Sequence, residues 1–221
     1  MIEVLTVEKT YLKSCFNYTG GKHKLLPQIL PLFPAEINTF VDLFCGGANV
    51  AINVEARGTI YCIDKQEEVV SFYNTLKRHD IEEIFQTIEE IIEQFGLSDT
   101  YRDSYAHYAC SSNAGLSQYN KEKYLILREY YNRHKKDPQN RFYRDCLFYV
   151  LTVYAFNNQI RFNRKGEYNI PVGKRDFNEQ VRRNPRQYAR TIQQIDFIFL
   201  CQEFRNMNIP LARGDFLYAD P

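Results

Sequence analysis

The 221-residue chain predicts an α/β fold on a parallel sheet. The sheet is assembled from both ends of the chain around a mainly helical insertion. Three observations carry this. Two short apolar runs, TFVDLF at 39–44 and GTIYCID at 58–64, come early. Two more, DFIFLC at 196–201 and FLYA at 216–219, come late. Between them lie about 120 residues whose patterning is helical or irregular. Short continuous apolar runs of this kind mark strands buried on both faces, as in parallel sheets.

Taken in order, KLLPQILPLF (24–33) reads as a short interrupted helix, because proline removes ladder donors. TFVDLF is the first strand, CGGAN a tight turn, residues 48–57 a short helix and GTIYCID the second strand, a unit of the βαβ kind. Ile81, Ile84, Phe85, Ile88, Ile91, Ile92 and Phe95 fall at steps of three and four, an amphipathic helix with its stripe in the core. Gly96 stops it. Residues 97–120 are polar and rich in Tyr and Ser, and read as loop or weak helix. Helices resume over about 121–135 and 141–155; the second is apolar nearly all round (CLFYVLTVYAF) and therefore buried. Residues 156–175 read as irregular chain and a hairpin with Gly166 in its turn. Asn184-Pro185 reads as the N-cap and first-turn pair of a further helix. The expected division is therefore 1–66 plus 190–221 as the sheet domain and 67–189 as the insertion, with the hairpin at about 156–175.

Composition excludes several classes. Hydrophobic residues are 44% and charged residues 25%, as in ordinary globular proteins. No apolar stretch reaches transmembrane length and the N-terminus lacks a signal-peptide core, so the expected location is cytoplasmic, with no membrane partner. Six scattered cysteines contain no CxxC pair; Cys45, Cys62 and Cys201 lie in or against apolar runs and read as buried thiols. His23, His79, His107 and His134 form no ligand set and no catalytic base, so no metal site is expected. Net charge is +1, yet residues 161–190 hold nine bases against three acids, a local +6. That density is the footprint of a phosphate-binding face, and equally that of a solvated surface.

The chemistry concentrates in VDLFCGGANV (41–50). Gly46 and Gly47 allow close backbone approach to a ligand and a sharp turn. N–H groups there can bind an anionic or polar group. Asp64, about 20 residues on at the end of the second strand, suits a ribose diol. Together these read as a nucleoside site. GxGxxG and GxxxxGK[ST] are both missing from the sequence, which disfavours nicotinamide dinucleotides and P-loop hydrolysis. Asp220 follows the last strand, where open α/β sheets put their ligands.

FNYTGGK (16–22), VDLFCGGAN (41–49), RFNRKGEYNIPVGK (161–174) and YADP (218–221) stand in the order found in the Dam-type DNA adenine-N6 methyltransferases, which the chain resembles over nearly its whole length. The resemblance implies a Rossmann-like class I methyltransferase sheet and S-adenosylmethionine as methyl donor. It implies duplex DNA as partner and site-specific methylation of an adenine flipped from the duplex. It also implies a restriction–modification or phage setting, with a companion restriction endonuclease as a further partner. Lys22 would meet the donor's carboxylate, and Tyr18 would replace the family's usual Trp as an aromatic wall. Asp42, Phe44, Gly46 and Gly47 would line the donor, and Asp64 would take the ribose hydroxyls. Glu203 and Phe204 stand where the family commonly has Asp-Phe beside the donor's adenine.

The family's catalytic motif is Asp-Pro-Pro-Tyr. Asp220 and Pro221 are its first two residues, so the sheet is expected to be incomplete at the C-terminus and a missing C-terminal portion to be a partner. A chain ending there could equally be a non-catalytic DNA-binding fragment or subunit. The same fold also admits an RNA or small-substrate methyltransferase. In the hairpin, Phe156 and Asn157 match positions that enter the base stack, and Gln159 and Pro171 match positions that meet base edges. Arg161 matches a guanine-reading arginine. Arg164, Lys165, Lys174 and Arg175 suit phosphates, and Asn163 belongs to the same DNA-binding segment. Gln159 replaces the apolar residue of GATC-reading members, so GATC does not carry over.

Overall fold

The computed structural model describes residues 10–221; residues 1–9, the start of the expected 1–66 segment, lie outside the described residues. Four strands form one sheet: β1 (Phe40–Asp42), β2 (Ile60–Asp64), β3 (Phe197–Cys201) and β4 (Phe216–Tyr218). Their order is β3-β2-β1-β4 and every pair is parallel, as the buried apolar runs predict. Asp42 stands in register with Cys62 on one side and Tyr218 on the other. The chain therefore steps outward from β1 through β2 to β3 and returns on the other side of β1 as β4. That reversal opens a crevice at the carboxyl ends of β1 and β4.

Helix α1 (Leu26–Ile29) is a single turn flanked by 3-10 turns, because Pro27 and Pro31 interrupt the ladder. Phe33, just beyond, packs its ring against Phe40 and Phe216 and so covers β1 and β4. Helices α2 (Glu67–Arg78), α3 (Ile81–Gln94), α4 (Asn113–His134), α5 (Arg141–Tyr154) and α6 (Glu179–Gln194) complete the fold. Helix α2 lies on β2 and β3, with Asn74 donating to the Phe199 carbonyl. Helix α5 is buried at ten consecutive positions from Asp145 to Tyr154 and stacks Tyr149 on Phe72 of α2 at 4.5 Å. One continuous apolar core runs from β1 through α2 and α5 to the hairpin.

Four elements differ from the sequence expectation, each for a physical reason. Patterning leaves 65–80 unassigned because α2 is buried at Val69–Tyr73 without a break, which hides the 3.6 period. Residues 48–57 form only a 3-10 turn at Ala51–Asn53. There the Asn49 and Asn53 side chains bind Ser14 N and both backbone groups of Leu12, strapping the N-terminal segment down. Part of 97–120, expected as loop or weak helix, is the start of the long helix α4. The inward-facing residues of that part are Leu116 and Asn120, and Asn120, which accepts from Ser98 N and donates to Ser98 Oγ, interrupts the apolar stripe that would announce it. Helix α6 begins at Glu179, with Asn178 as the cap accepting from Val181 N at 3.1 Å. Asn184-Pro185 is therefore not a cap. Pro185 sits inside the helix, and burial of Arg182, Pro185, Tyr188, Ala189 and Ile192 on one stripe outweighs the lost ladder bond.

Among the thiols, Cys45 and Cys62 are buried, but Cys201 is exposed, as the last residue of the edge strand β3. Among the described residues no helix is long and apolar enough to cross a membrane.

Candidate active site and DNA-binding hairpin

A cavity of about 370 Å³ opens at the carboxyl ends of β1, β2 and β4, within the range of small-ligand sites. All the residues expected to hold a nucleoside donor or to act on its partner line it. Tyr18 and Lys22 come from the loop before α1. Asp42, Phe44, Gly46 and Gly47 come from the turn after β1, and Asp64 from the end of β2. Glu203 and Phe204 follow β3, and Asp220 and Pro221 follow β4. Elements up to 200 residues apart thus meet at one crevice.

The glycine turn is tight. Gly46 has a left-handed backbone (φ +46°), and a Cβ there would stand 2.8 Å from the Tyr18 ring. A Cβ on Gly47 would stand 2.8 Å from Ser14 Oγ. Asp64 receives Gly46 N at 2.8 Å on one oxygen and Gln66 N at 2.9 Å on the other, which fixes its carboxylate toward the turn. Each oxygen keeps a second lone pair for a ligand. From below, the buried Tyr73 hydroxyl donates to Gly47 O at 2.9 Å and shares a 2.9 Å hydrogen bond with Ser14 Oγ. Ser14, Asn49 and Tyr73 are supports that sequence reasoning missed; they lie too far apart in the chain to form any pattern. Phe44 and Phe204 pair at 5.3 Å between centroids, and Phe204 is 41% exposed, an open aromatic wall rather than core.

Asp220 is held by two donors on the same oxygen. Lys22 Nζ lies 2.8 Å and the Tyr218 hydroxyl 2.9 Å from Oδ2, and the Lys22 contact holds the carboxyl below the usual carboxylate range. Oδ1 has no partner among the described residues. Tyr218, two residues before Asp220, is a neighbour that the YADP spacing could have suggested.

Asp42 behaves differently. It is 2% exposed, and burial pushes its carboxyl up to about 7, against hydrogen bonds from the Ala51 and Phe44 backbone and with the help of Asp64 and Asp220. The native state then binds a proton that the unfolded chain has already released. Stability from this group is full below about pH 4 and is lost as pH rises through about 7. Wild type should therefore lose stability across that window relative to Asp42→Asn, by at most about 1.4 kcal/mol per pH unit. Parallel urea midpoints for the two proteins in that range would refute the assignment.

Residues 155–172 form the expected hairpin, with antiparallel bridges Ala155↔Val172 and Phe162↔Tyr168 and Gly166 at φ +74° in the turn. Helix α4 is its rail: Arg128 donates to Ile170 O, and Asn132 bonds both Tyr168 N and Tyr168 O. Phe156 is 48% exposed at the base of the hairpin. Asn157 and Asn158 beside it are both left-handed, a conformation uncommon outside glycine. The Asn158 side chain caps α5 through Thr152 O and Val153 O, and Asn157 O accepts from Asn17. Arg161 is exposed and steadied by Asn169 Oδ1 at 2.9 Å. The Asn163 side chain is engaged inside the turn by Lys165 N, Glu167 N and Glu167 Oε2. Gln159 and Pro171 supply backbone carbonyls to Tyr168 and Phe156. The side chains of Arg164, Lys165, Lys174 and Arg175 carry no partner among the described residues.

The basic segment is less available to a partner than its composition suggests. Arg182 is 1% exposed and paired with Glu89, and Arg186 makes a forked contact with Glu82. Of the segment's acids, Asp176 is fully buried and bound by Ser98 and Thr100.

Comparison with known proteins identifies the family. The D12 class N6 adenine-specific DNA methyltransferase family profile matches residues 18–221. The chain is 38% identical over 215 residues to the type II methyltransferase M.FokI of Planomicrobium okeanokoites, covering 96% of this chain and 29% of that protein. It is 36% identical over 216 residues to the modification methylase StsI of Streptococcus sanguinis, with the same two coverages. A DNA adenine methylase of Serratia marcescens is 23% identical over 209 residues, 95% of this chain and 66% of that protein. The chain thus spans under a third of the length of the first two relatives. With the profile covering all but the first 17 residues, the chain belongs to the D12 class N6 adenine-specific DNA methyltransferase family.

Proposed function

We propose that this chain holds the donor site and the target-recognition hairpin of a site-specific DNA adenine-N6 methyltransferase that turns its target adenine out of the duplex. The observation that carries this is the meeting of the glycine turn, Asp64, Lys22 and Asp220 around one cavity. The residues fit S-adenosylmethionine. Lys22 is a half-buried cation for its carboxylate, Asp64 an acceptor for its ribose hydroxyls, and Phe44 with Phe204 an aromatic wall for its adenine. When bound, the donor supplies an electrophilic methyl group on a sulfonium.

The target nitrogen is a poor nucleophile, because its lone pair is delocalised into the purine ring. Asp220 Oδ1 and the Pro221 carbonyl would accept its two N–H bonds and draw it toward a tetrahedral form. Holding it in line with the methyl group supplies much of the rate through positioning. A base paired in the duplex cannot reach this site, so flipping is required. Exposed Phe156 is suited to enter the gap, Arg161 to fork onto a guanine, and Gln159 and Pro171 to meet neighbouring base edges. Unpartnered Arg164, Lys165, Lys174 and Arg175 would hold phosphates. In this reading the donor side comes from residues 1–66 and 190–221 and the target side from 67–189. A restriction endonuclease of the same specificity is the partner it entails.

Titration calorimetry with S-adenosylhomocysteine, followed by competition of duplex DNA against RNA, tests the reading. Donor-analogue binding together with salt-sensitive preference for duplex DNA supports it. A chain that binds neither, or prefers RNA, overturns it.

A further inference from the structure

We infer that Lys22 is shared between Asp220 and the carboxylate of the methyl donor, so that donor binding frees the acceptor carboxylate for the incoming base. This rests on the donor site proposed above. Two cations line the cavity, Lys22 and Lys65. Lys65 is exposed, while Lys22 is half-buried and lies 2.8 Å from Asp220 Oδ2. A ligand carboxylate entering the cavity therefore meets its half-buried cation already paired. It can gain Lys22 only in competition with Asp220, because two carboxylates then divide one ammonium charge.

The consequence for Asp220 follows from its remaining contacts. The Tyr218 hydroxyl stays on Oδ2 at 2.9 Å and keeps the carboxylate oriented after Lys22 moves away. Oδ1, without a partner among the described residues, keeps its lone pairs for the next ligand. A carboxylate neutralised by an ammonium is a weak acceptor for an N–H bond and a weak counter-charge for a nitrogen that becomes cationic as it is alkylated. Released from Lys22, the same group is stronger in both respects. Donor and base are thereby coupled through one side chain, and the coupling must act equally in both directions.

Reciprocity gives a test that needs no turnover. Asp220→Asn removes the competing charge, so S-adenosylhomocysteine should bind the variant about two- to fivefold more tightly than wild type, the scale of a partly exposed ion pair. Lys22→Met should weaken that ligand about tenfold or more. In the Lys22→Met background Asp220→Asn should change nothing, because the shared cation is gone. 5′-Methylthioadenosine, which lacks the amino-acid moiety, should bind all four proteins alike. Calorimetry at one pH above the range in which Asp42 titrates isolates these effects.

Unchanged or weaker S-adenosylhomocysteine binding by Asp220→Asn overturns the inference. So does a gain that persists without Lys22, which would be simple repulsion, or a gain seen with 5′-methylthioadenosine. If wild type binds the homocysteine ligand and the cycle shows no coupling, this inference alone falls. If wild type does not bind it, the donor site itself falls.

Discussion

Arg182→Ala is expected to lower unfolding free energy by about 3–5 kcal/mol, the scale of breaking a buried ion pair from one side. Arg182 is 1% exposed, donates to Glu89 at 2.5 Å and to Phe177 O at 3.1 Å, and lies 3.6 Å from Asp99. Its guanidinium stacks over Tyr101 at 4.0 Å and Phe177 at 4.3 Å. Burial alone raises the Glu89 carboxyl, yet Arg182 and Arg102 hold it below the usual range. Burial raises Asp99, with Arg182 pulling it back. Removing the guanidinium leaves two carboxylates without their shared buried cation. Arg182→Met combined with Glu89→Gln should recover part of the loss, since it removes one of the two carboxylates that Arg182→Ala leaves without their buried cation. Urea unfolding at neutral pH measures both. A loss below about 1 kcal/mol for Arg182→Ala would mean that the cluster does not hold α6 to α3.

The second large effect is expected at Gly173. A Cβ there would stand 2.3 Å from the Ala155 carbonyl oxygen and 3.0 Å from Phe156 N, both backbone atoms that no rotamer change can move. At the same point Gly173 N donates to Tyr154 O at 2.7 Å and Phe156 N to Pro171 O at 2.8 Å, closing the hairpin onto the end of α5. Gly173→Ala must lift the hairpin from that helix. Stability should fall by about 1–3 kcal/mol, as for other overpacked sites. Duplex-DNA affinity should fall at least tenfold, because Phe156 and Arg161 are carried on the displaced segment. Binding of S-adenosylhomocysteine should not change, since the proposed donor cavity is built from other residues. Anisotropy with labelled duplex and calorimetry with the donor analogue read the two separately. Equal losses in both would mean a general unfolding, and no loss of DNA affinity would remove the hairpin from the interface.

The strands were legible because a parallel sheet demands uninterrupted apolar runs, although only the central β1 and β2 are largely buried; the edge strand β4 is half-buried throughout. The crevice at the strand ends was legible because its constraints are local: two glycines where a side chain would strike Tyr18 or Ser14, and an acid at or just after each of three strand ends. Helix α2 was not, since a helix buried along Val69–Tyr73 has no polar face to reveal its period. The start of α4 was hidden by Asn120, whose burial rests on hydrogen bonds to Ser98, a partner 22 residues away.

Sequence by itself determined the residue types available at the crevice and their order along the chain, because strand burial and glycine turns depend on nearest neighbours. Tertiary structure decided which cations remain available. Arg182 and Arg186 look like Lys174 and Arg175 in composition, yet the first two pair with carboxylates on α3, and the latter two make no ion pair among the described residues. It also decided that Lys22 meets Asp220, 198 positions away, since a Coulomb contact depends on distance in space, which chain order does not specify.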